Sequence, residues 1–533
     1  MSDGAPTLVA PEALWQPKYN PWLIAVVVAM AAFMEVLDTS IANVALPYMA
    51  GNLGASNDES TWVLTSYLVS NAIVLPISGW LASTFGRKRF FMACLAIFVL
   101  SSLLCGIAPS LGLLLVFRVM QGAGGGGLQP MAQAILADTF PPQKRGLAFA
   151  LYGITAVLAP TIGPTLGGWI TFNYSWRWIF FINLPVGIVA LALVFRLIED
   201  PPYLSRLKAA GIKLDYIGIA LLTLGVGALQ ILLDKGQEDD WFGSHFILTL
   251  AIVAGGCLLS LVIWEWYRKD PIIDIRLFKD FNYLGANLMM FTLGILLFSS
   301  LVIMPQFLQT LLGYTAELAG LVLSGGAIVL LMALPIVGQL TTKVQARYII
   351  AFGWLCLAIS MYYSTRRIDL LISFSSATWL RVAQVVGLGF LFVPITLVAY
   401  VGIPAEKSNS VAGMVNFMRN IGSSVGTSMV TTVIARRSQF HQMTLVAHTT
   451  QGNQNFQNLI NGFAQRLAQS GMSLHEAQAQ AYARFYRAVQ AEAATLAYID
   501  TFWILSVGAA IMFVLSFLLK KNQPGAGGEA AAV

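Results

Sequence analysis

The sequence predicts an all-α polytopic membrane protein with fourteen spans, arranged as two six-helix halves plus two inserted helices. Hydrophobic residues make up 57% of the 533 positions and charged residues only 11%. A soluble globular chain carries about 25% charged residues, so a water-facing surface cannot be built from this composition. Apolar runs of spanning length recur along the chain, and two of its segments repeat one another.

The apolar runs provide the spanning helices, because about 20 consecutive apolar residues cross the hydrocarbon core. Residues 1–21 are polar and rich in proline, and the first apolar run is too long for a signal core and contains two acids, so we expect it to remain as the first span. The fourteen runs lie near 22–45, 61–82, 90–107, 111–136, 146–172, 178–198, 214–233, 245–267, 283–307, 317–340, 349–365, 376–400, 410–435 and 498–519.

The connecting segments differ in their content of Lys and Arg. With the N-terminus placed inside, the cytoplasmic segments hold 18 of these residues and the short outer loops hold 4. Cytoplasmic loops are enriched in Lys and Arg, so both termini are predicted to be cytoplasmic. The same loops explain the net charge of +6, and nucleic acid is not expected as a partner because no segment resembles a nucleic-acid-reading module.

A sequence repeat relates the two halves. The pattern R-V-x-Q-x-x-G-x-G begins at Arg118 and again at Arg381, and a glycine follows each arginine by 45 residues, at Gly163 and Gly426. Two such halves are an architecture of secondary transporters, with the substrate cavity between them near the midplane. The expected divisions are a cytoplasmic N-terminal segment at 1–21, a first half at 22–198, inserted spans 7 and 8 with their flanking loops at 199–282, a second half at 283–519 that includes an outer loop at 436–497, and a cytoplasmic tail at 520–533.

Charged residues within spans are costly and therefore indicate function. Glu35 and Asp38 are three residues apart on span 1 and share a helix face, and Arg118 lies about one turn before Gln121 on span 4. Asp38 is the predicted proton carrier, because an arginine that approaches in only one conformation would make its proton affinity alternate. A permanent Asp38–Arg118 pair that fixes helix packing is the alternative. Glu35 is a second candidate proton site, a cation-binding group or a solvated side chain.

A substrate pocket is expected on the central spans. Mixed aromatic, methionine and amide linings suit variable hydrophobic ligands, although each such residue can also serve packing or an interhelical hydrogen bond. The candidates are Tyr67, Asn71, Gln121, Gln129, Met131, Tyr152, Gln306, Asn416, Phe417 and Asn420.

Enzymatic and metal chemistry find no support in the sequence. The glycine run at 122–127 has G-x-G-x-x-G spacing but lies within a span, and no ATP-binding P-loop pattern occurs. The four cysteines lack metal-ligand spacing, and no nucleophile–base set is present. We therefore expect a secondary active transporter without cofactor or metal, driven by the proton motive force.

Several motifs resemble one family. They are LDTSIANVALP at 37–47, RVMQGAGGGG at 118–127, APTIGPTLGGW at 159–169, WRWIFFINLPVG at 176–187 and LLDKGQEDDWF at 232–242. Over nearly the whole chain they resemble the major facilitator superfamily, specifically its fourteen-span drug:proton antiporters, and within these the EmrB-type inner-membrane subunits of tripartite efflux pumps.

The resemblance implies a major facilitator fold and proton-driven export of hydrophobic drug-like or toxic compounds across the bacterial inner membrane. It also implies coupling through Asp38 and Arg118, and hand-over of substrate to a periplasmic membrane-fusion adaptor protein and through it to an outer-membrane channel. The alternative is a proton-coupled transporter of a specific metabolite, lipid or siderophore that works without an adaptor.

The resemblance further indicates a conformational switch. In GWLASTFGRKR at 79–89, Ser83 stands where the superfamily usually has Asp, which implies a loop without that ion pair. Glycine and proline in span 5 are expected to weaken and bend a helix that moves between states. The switch candidates are Gly79, Gly86, Arg87, Gly163, Pro164, Gly167 and Gly168.

The outer loop is far longer than a connection needs. It is predicted to form helices near 454–469 and 474–497, the second started by a capping box of Ser473 and Glu476. Docking of the adaptor and a self-packed lid over the outer mouth are the two interpretations. A partly apolar face at helical spacing comprises Leu459, Phe463, Arg466 and Leu467.

Overall fold

The structure, a computed structural model, describes residues 17–201, 215–447, 449–450 and 452–521, and these residues form helices and no β-strand. Three predicted segments lie partly outside the described residues. The parts concerned are residues 1–16 of the N-terminal segment, residues 202–214 in the loop that leads into span 7, and residues 522–533 of the C-terminal tail. The helices are α1 (Pro21–Leu53), α2 (Asn57–Phe85), α3 (Arg87–Ile107), α4 (Leu111–Gly125), α5 (Leu128–Thr139), α6 (Pro142–Asn173), α7 (Trp178–Phe181), α8 (Asn183–Leu197), α9 (Tyr216–Lys235), α10 (His245–Tyr267), α11 (Phe281–Thr310), α12 (Ala316–Leu340), α13 (Ala346–Arg367), α14 (Phe374–Ala399), α15 (Ser408–Val446), α16 (Gln454–Gln469) and α17 (Leu474–Ser516).

Every predicted span coincides with a helix or a helix pair, so the fourteen-span fold is confirmed. Span 4 is divided into α4 and α5 at Gly126 and Gly127, because consecutive glycines weaken a helix. Thirteen of the described segments are long and apolar enough to cross a membrane. The remaining span, α15, falls short in hydropathy because its buried face carries polar side chains such as Asn416 and Arg419.

The sequence repeat is visible in how the two halves are packed. Arg118 of α4 contacts Asp38 of α1 at 2.6 Å, and Arg381 of α14 donates to Ser300 of α11 at 2.8 Å. Each buried arginine therefore contacts the first helix of its own half. The halves meet where α2 and α5 pack on α15 and where α6 packs on α12.

The two inserted helices, α9 and α10, pack on one another, and α9 also packs on α2 and α15. The Thr65 hydroxyl of α2 donates to Asp234 of α9, and Gln230 of α9 donates to Ser424 of α15 at 2.6 Å. The first inserted helix therefore bridges the two halves.

Two faces of the bundle are used as references below. Helix α1 begins and α2 ends at the Arg87 face, while α1 ends and α2 begins at the opposite face, named here the Glu238 face. The loop after α9 lies on the latter, since Lys235 contacts both Thr61 at the start of α2 and Glu238.

The predicted outer loop forms a helical projection. The helix at 454–469 is confirmed by α16, and both hydrogen bonds of the Ser473–Glu476 capping box are present. The expected separation of a helix at 474–497 from span 14 is wrong, because α17 continues without a break through 43 residues that contain no proline and many alanines. Helix α15 likewise extends past the predicted loop start at 436 to Val446. We call residues 436–447, α16 and residues 474–497 the stalk.

The stalk has a small core of its own. Ile460 and Ala464 of α16 pack on Ala477 and Ala481 of α17, and Phe456 adds to the cluster. Arg437 and His441 of α15 both contact Asp500 of α17, at 2.5 Å and 2.7 Å. At about 1.5 Å per residue α17 is roughly 65 Å long, about twice the hydrocarbon thickness, so the stalk stands outside the membrane.

Candidate functional site

Asp38 lies at the centre of the first half and is enclosed by hydrogen-bond donors. Its oxygens accept from Arg118 at 2.6 Å, from the Gln121 amide at 2.9 Å and from the Asn183 amide at 2.7 Å. Asp38 and Arg118 are 2% and 0% exposed, so the ion pair is removed from solvent. Three donors on two oxygens are the arrangement of an ionised carboxylate.

Glu35, one turn before Asp38 on α1, faces other partners. One oxygen accepts from the Tyr67 hydroxyl at 3.0 Å and the Asn71 amide at 3.1 Å, and the other accepts from the Gln129 amide at 2.5 Å. The Gln129 carbonyl oxygen in turn accepts from Arg419 of the second half. Glu35 is therefore connected to both halves, whereas the three donors to Asp38 all belong to the first.

Tyr67 joins the two carboxylate environments. Its hydroxyl donates to Glu35, and the guanidinium carbon of Arg118 lies 4.3 Å from the centre of its ring. A cation over an aromatic face is attracted by the ring quadrupole. A displacement of Arg118 therefore acts on the residue that binds Glu35.

A cavity of about 420 Å³ lies between the halves and reaches from Glu35 to the Glu238 face. Gln237 and Glu238 line the cavity where it reaches this face, and the Glu238 side chain is half exposed. Helices α1, α2, α5 and α6 form one wall, α9 with the turn after it forms a second, and α11 and α15 form a third. The lining residues include Tyr67, Leu68, Asn71, Gln129, Gln230, Leu233, Asp234, Leu297, Phe298, Arg419, Asn420, Ser424 and Ser428.

The Arg87 face is closed by two helix crossings. At the first, a Cβ on Gly79 of α2 would lie 2.7 Å from the Ser410 backbone of α15, and at the second a Cβ on Gly146 of α6 would lie 2.7 Å from the Gly338 carbonyl of α12. Backbones this close leave no passage. Among the described residues, the cavity lining extends to Gln237 and Glu238 at the Glu238 face and includes neither of these crossings.

Arg87 fastens the first of these crossings. It donates to Asp138 of α5 at 2.6 Å and to Asn409 of α15 at 2.8 Å, and its side chain is 2% exposed. Ser83 instead bonds the Gly79 carbonyl of its own helix at 2.9 Å. Asp138 thus supplies an ion pair for Arg87 although Ser83 stands at the usual acidic position of the loop. Gly86 has φ +90°, a conformation that a side chain rarely adopts, at the turn from α2 into α3.

The glycines of α6 lie against α1. A Cβ on Gly163 would come within 2.3 Å of the Ser40 hydroxyl, and one on Gly167 within 3.0 Å of Ile41, while Gly168 has room. Pro160 and Pro164 both stand inside this one helix, and Ser40 donates to the Pro160 carbonyl at 3.1 Å. These glycines allow close approach of α1 and α6, and the bend predicted for span 5 stays a prediction.

The structure brings together only part of the predicted pocket. Tyr67, Asn71, Gln129 and Asn420 line the cavity. Tyr152 lies behind Gln129, to which it donates at 3.1 Å, and Gln121 serves Asp38. The other candidates lie outside the lining: Asn416 donates to Gln133 across the halves at 2.9 Å, Met131 is fully buried, Phe417 packs on the core and Gln306 is half-buried on α11.

Four residues of the site were missed in sequence reasoning. Asn183 and Asp234 stood within motifs used only for the family resemblance, WRWIFFINLPVG and LLDKGQEDDWF. Gln230 stands one turn before Asp234 and gave no separate signal. Asp138 lies two residues after the predicted end of span 4, where an acidic residue is typical of a solvent-exposed loop, so it was not selected.

Chemically, the arrangement places a carboxylate in a one-sided cavity beside a second carboxylate that is paired with arginine. The hydrogen bonds of Glu35 lead through Gln129 to Arg419 of the second half, whereas those of Asp38 stay within the first half. No group of three or more potential metal ligands occurs in the described part of the chain.

Comparisons with known proteins agree with this architecture. Residues 28–427 match the family model of the Major Facilitator Superfamily. The chain is 36% identical over 498 residues to the multidrug export protein EmrB of Haemophilus influenzae, which covers 93% of this chain and 95% of the relative. It is 35% identical over 508 residues to EmrB of Escherichia coli K12, with 95% and 96% covered, and 39% identical over 451 residues to the fatty acid resistance protein FarB of Neisseria gonorrhoeae, with 83% and 86% covered.

Solved structures share the fold. The proton:xylose symporter XylE superimposes with a TM-score of 0.61 at 15% identity, covering 96% of this chain and 98% of that one. The human organic anion transporter MFSD10 gives 0.56 at 12% identity, with 94% and 100% covered. The chain is therefore a multi-pass membrane transporter that belongs to the major facilitator superfamily and, within it, to the family of the EmrB multidrug export proteins.

Proposed function

We propose that this protein exports hydrophobic drug-like or toxic compounds across the bacterial inner membrane in exchange for protons. The observation that carries the proposal is a cavity closed at the Arg87 face, with Glu35 at its floor and the Asp38–Arg118 pair one turn away. The names of the relatives, multidrug export and fatty acid resistance proteins, support export of foreign or toxic molecules. The excess of Lys and Arg in alternate loops supports an Arg87 face in the cytoplasm.

In this proposal the structure corresponds to the outward-open state, in which substrate leaves and a proton enters. Glu35 is the first acceptor, because it alone of the two buried acids lines the cavity. Protonated Glu35 is a poorer acceptor for Gln129, so the link to Arg419 weakens and the halves can rearrange. Asp38 takes the proton when Arg118 withdraws, and the return of Arg118 expels it toward the cytoplasm.

The proton motive force is large enough for this exchange. One charge that crosses about 150 mV supplies roughly 3.5 kcal/mol, at about 2.3 kcal/mol per 100 mV. Since about 1.4 kcal/mol corresponds to tenfold in concentration, one proton sustains a gradient of a few hundredfold for an uncharged substrate. Exchange for a monovalent cation moves no net charge and is driven by the pH difference instead. No cofactor is required in this account.

Substrate is proposed to occupy the cavity lined by Tyr67, Asn71, Gln129 and Asn420. We propose that Tyr152 acts through Gln129, to which it donates, and that Gln121 acts through Asp38, to which it donates. The remaining candidates do not line the cavity in this state, and we propose that they contact substrate only in the inward-open state. They are Met131, Gln306, Asn416 and Phe417.

The stalk is proposed as the docking surface for a periplasmic adaptor protein, which passes substrate to an outer-membrane channel. It stands on the Glu238 face, beside the cavity opening, and it presents apolar side chains outward. Leu459 and Phe463 are 46% and 42% exposed on α16, although Ile460 and Ala464 of the same helix are buried. Apolar surface that the stalk's own core does not use is typical of a protein contact.

Export driven by an imposed proton gradient tests the proposal. Purified protein in liposomes should move a lipophilic dye against its gradient when a pH difference is imposed, and added substrate should in turn drive proton movement in the opposite direction. Dye movement that persists after the pH difference is collapsed would rule out proton coupling. Transport of one metabolite or lipid, with no response to chemically varied dyes, would replace drug export by the specific-transporter alternative.

A further inference from the structure

The first inserted helix forms part of the substrate cavity. Gln230, Leu233 and Asp234 of α9 all line it, and Gln237 and Glu238 continue the wall to the opening. Gln230 and Asp234 are four residues apart, so they lie on one face of the helix. The two inserted spans are therefore more than a spacer between the halves, because one of them contacts the space where substrate binds.

Asp234 is available to a ligand. One of its oxygens accepts from the Thr65 hydroxyl, and among the described residues the other oxygen, Oδ1, accepts from no side chain. Lys235, the nearest cation in sequence, is 5% exposed and is itself bound by Glu238 at 2.6 Å and by Thr61. Asp234 is exposed in the cavity wall and is attracted electrostatically by Lys235, but its Oδ1 has no hydrogen-bond donor among the described residues.

The buried polar atoms of the lining that have no partner among the described residues are oxygens. Gln230 is 1% exposed and donates its amide N–H to Ser424, which leaves its carbonyl oxygen without a donor. The carbonyl oxygen of Asn420 and the hydroxyl of Ser428, which is 5% exposed, are also unpartnered. Since buried acceptors are normally satisfied, these oxygens match a ligand that brings N–H donors.

Three of the four charged residues of the lining are carboxylates. They stand at three depths, Glu35 at the floor, Asp234 in the wall and Glu238 at the opening. Arg419 is the one basic residue of the lining, and it is engaged by Gln129. Apolar side chains such as Leu233, Leu297 and Phe298 complete the wall and suit a hydrocarbon body.

We propose that α9 supplies an amine-binding subsite, in which Asp234 pairs with a protonated amine of the substrate and Gln230 accepts an N–H hydrogen bond. The ligand class is a lipophilic primary or secondary ammonium compound. This inference rests on the proposed export function and deepens it, because it assigns substrate recognition to an inserted helix. Asp234 is here a specificity-determining residue, distinct from the proton-coupling acids.

Two fluorescent probes that differ in one charge test the subsite. Dansylcadaverine carries a protonated primary amine, and its N-acetyl derivative keeps the fluorophore and chain but is neutral. Export of each probe by the full-length protein in liposomes is compared for the wild type, Asp234→Asn, Asp234→Glu and Asp239→Asn. Asp239 is a matched control, because it is an exposed acid in the turn that follows α9 and lies outside the cavity lining.

Asp234→Asn should raise KM for the amine about tenfold, which corresponds to about 1.4 kcal/mol, and leave KM for the acetylated probe unchanged. Asp234→Glu should restore most of the amine affinity, and Asp239→Asn should behave as the wild type with both probes. Equal effects of Asp234→Asn on both probes, or equal effects of the Asp234 and Asp239 variants, would overturn the subsite. A wild type that exports the acetylated probe but not the amine would overturn it while export stands, whereas a wild type that exports neither would count against the proposed function itself.

Discussion

Arg118 lies over the face of Tyr67, with its guanidinium carbon 4.3 Å from the ring centre, and both side chains are at most 1% exposed. The same tyrosine donates its hydroxyl to Glu35 at 3.0 Å. The buried ion pair and the acid in the cavity therefore share one residue. In the proposed cycle, Tyr67 couples the two sites: movement of Arg118 shifts the Tyr67 ring and its hydrogen bond to Glu35, and protonation of Glu35 weakens that bond and so affects the contact with Arg118.

Tyr67→Phe separates the two functions of this residue. The variant keeps the ring beneath Arg118 and loses the hydroxyl that binds Glu35. A single hydrogen bond contributes about 1 kcal/mol, so we expect export of a lipophilic dye to fall about fivefold while thermal stability stays close to the wild type. Tyr67→Leu should lower both export and stability, since it also removes the cation–π contact. Wild-type export by Tyr67→Phe would show that the hydroxyl has no part in coupling.

The closed Arg87 face depends on a glycine. A side chain at Gly79 would meet the Asn409 and Ser410 backbone at 2.7–2.8 Å, so Gly79→Val should force α2 and α15 apart and favour the state open at this face. Pulsed electron paramagnetic resonance between spin labels at Thr84 and Lys343 should give longer distances than in the wild type, and export should be lost. The control is Gly256→Val, at a glycine with nothing within 4 Å. Unchanged distances in Gly79→Val would contradict the assigned closure.

The Arg87–Asp138 pair should contribute strongly to stability. The two side chains are 2% and 9% exposed, so Arg87→Gln removes an ion pair from a largely buried carboxylate. Such changes cost on the order of 3 kcal/mol, and the loss should appear as a lower melting temperature in detergent. The double variant Arg87→Gln/Asp138→Asn should recover part of that loss, because the carboxylate charge that Arg87 balances is then removed as well. Arg89→Gln, at an exposed arginine of the same turn, is the control and should have little effect.

Much of the fold was predictable because hydrophobic periodicity and length decide membrane spans. The fourteen apolar runs predicted the positions of the helices, and the R-V-x-Q repeat predicted the two halves. In the structure, Arg118 and Arg381 make equivalent contacts, each with the first helix of its own half. The continuity of α17 was missed, because residues 474–497 are polar and were predicted as a helix of the outer loop, separate from span 14. Helix propensity does not change at a membrane boundary, and nothing in the sequence stops this helix.

The site was predictable only where charge or motif made a residue conspicuous. Glu35, Asp38 and Arg118 stood out as charges within spans, and Tyr67, Asn71 and Gln129 as polar residues on central helices. The cavity also depends on how α9 is placed between α2 and α15, and that packing cannot be deduced from periodicity. Gln230 and Asp234 were therefore missed, whereas Met131 and Gln306 were selected for residue type and lie outside the lining.

The most direct test of the central claim is export driven by an imposed pH gradient in everted membrane vesicles, compared between the wild type and Asp38→Asn. The asparagine keeps the size of the side chain but cannot exchange a proton. We expect that the variant still binds the dye, measured by fluorescence polarisation, but fails to concentrate it when the gradient is imposed. Concentration of dye by Asp38→Asn to the wild-type level would contradict the account, since Asp38 and Arg118 would then be a permanent structural pair.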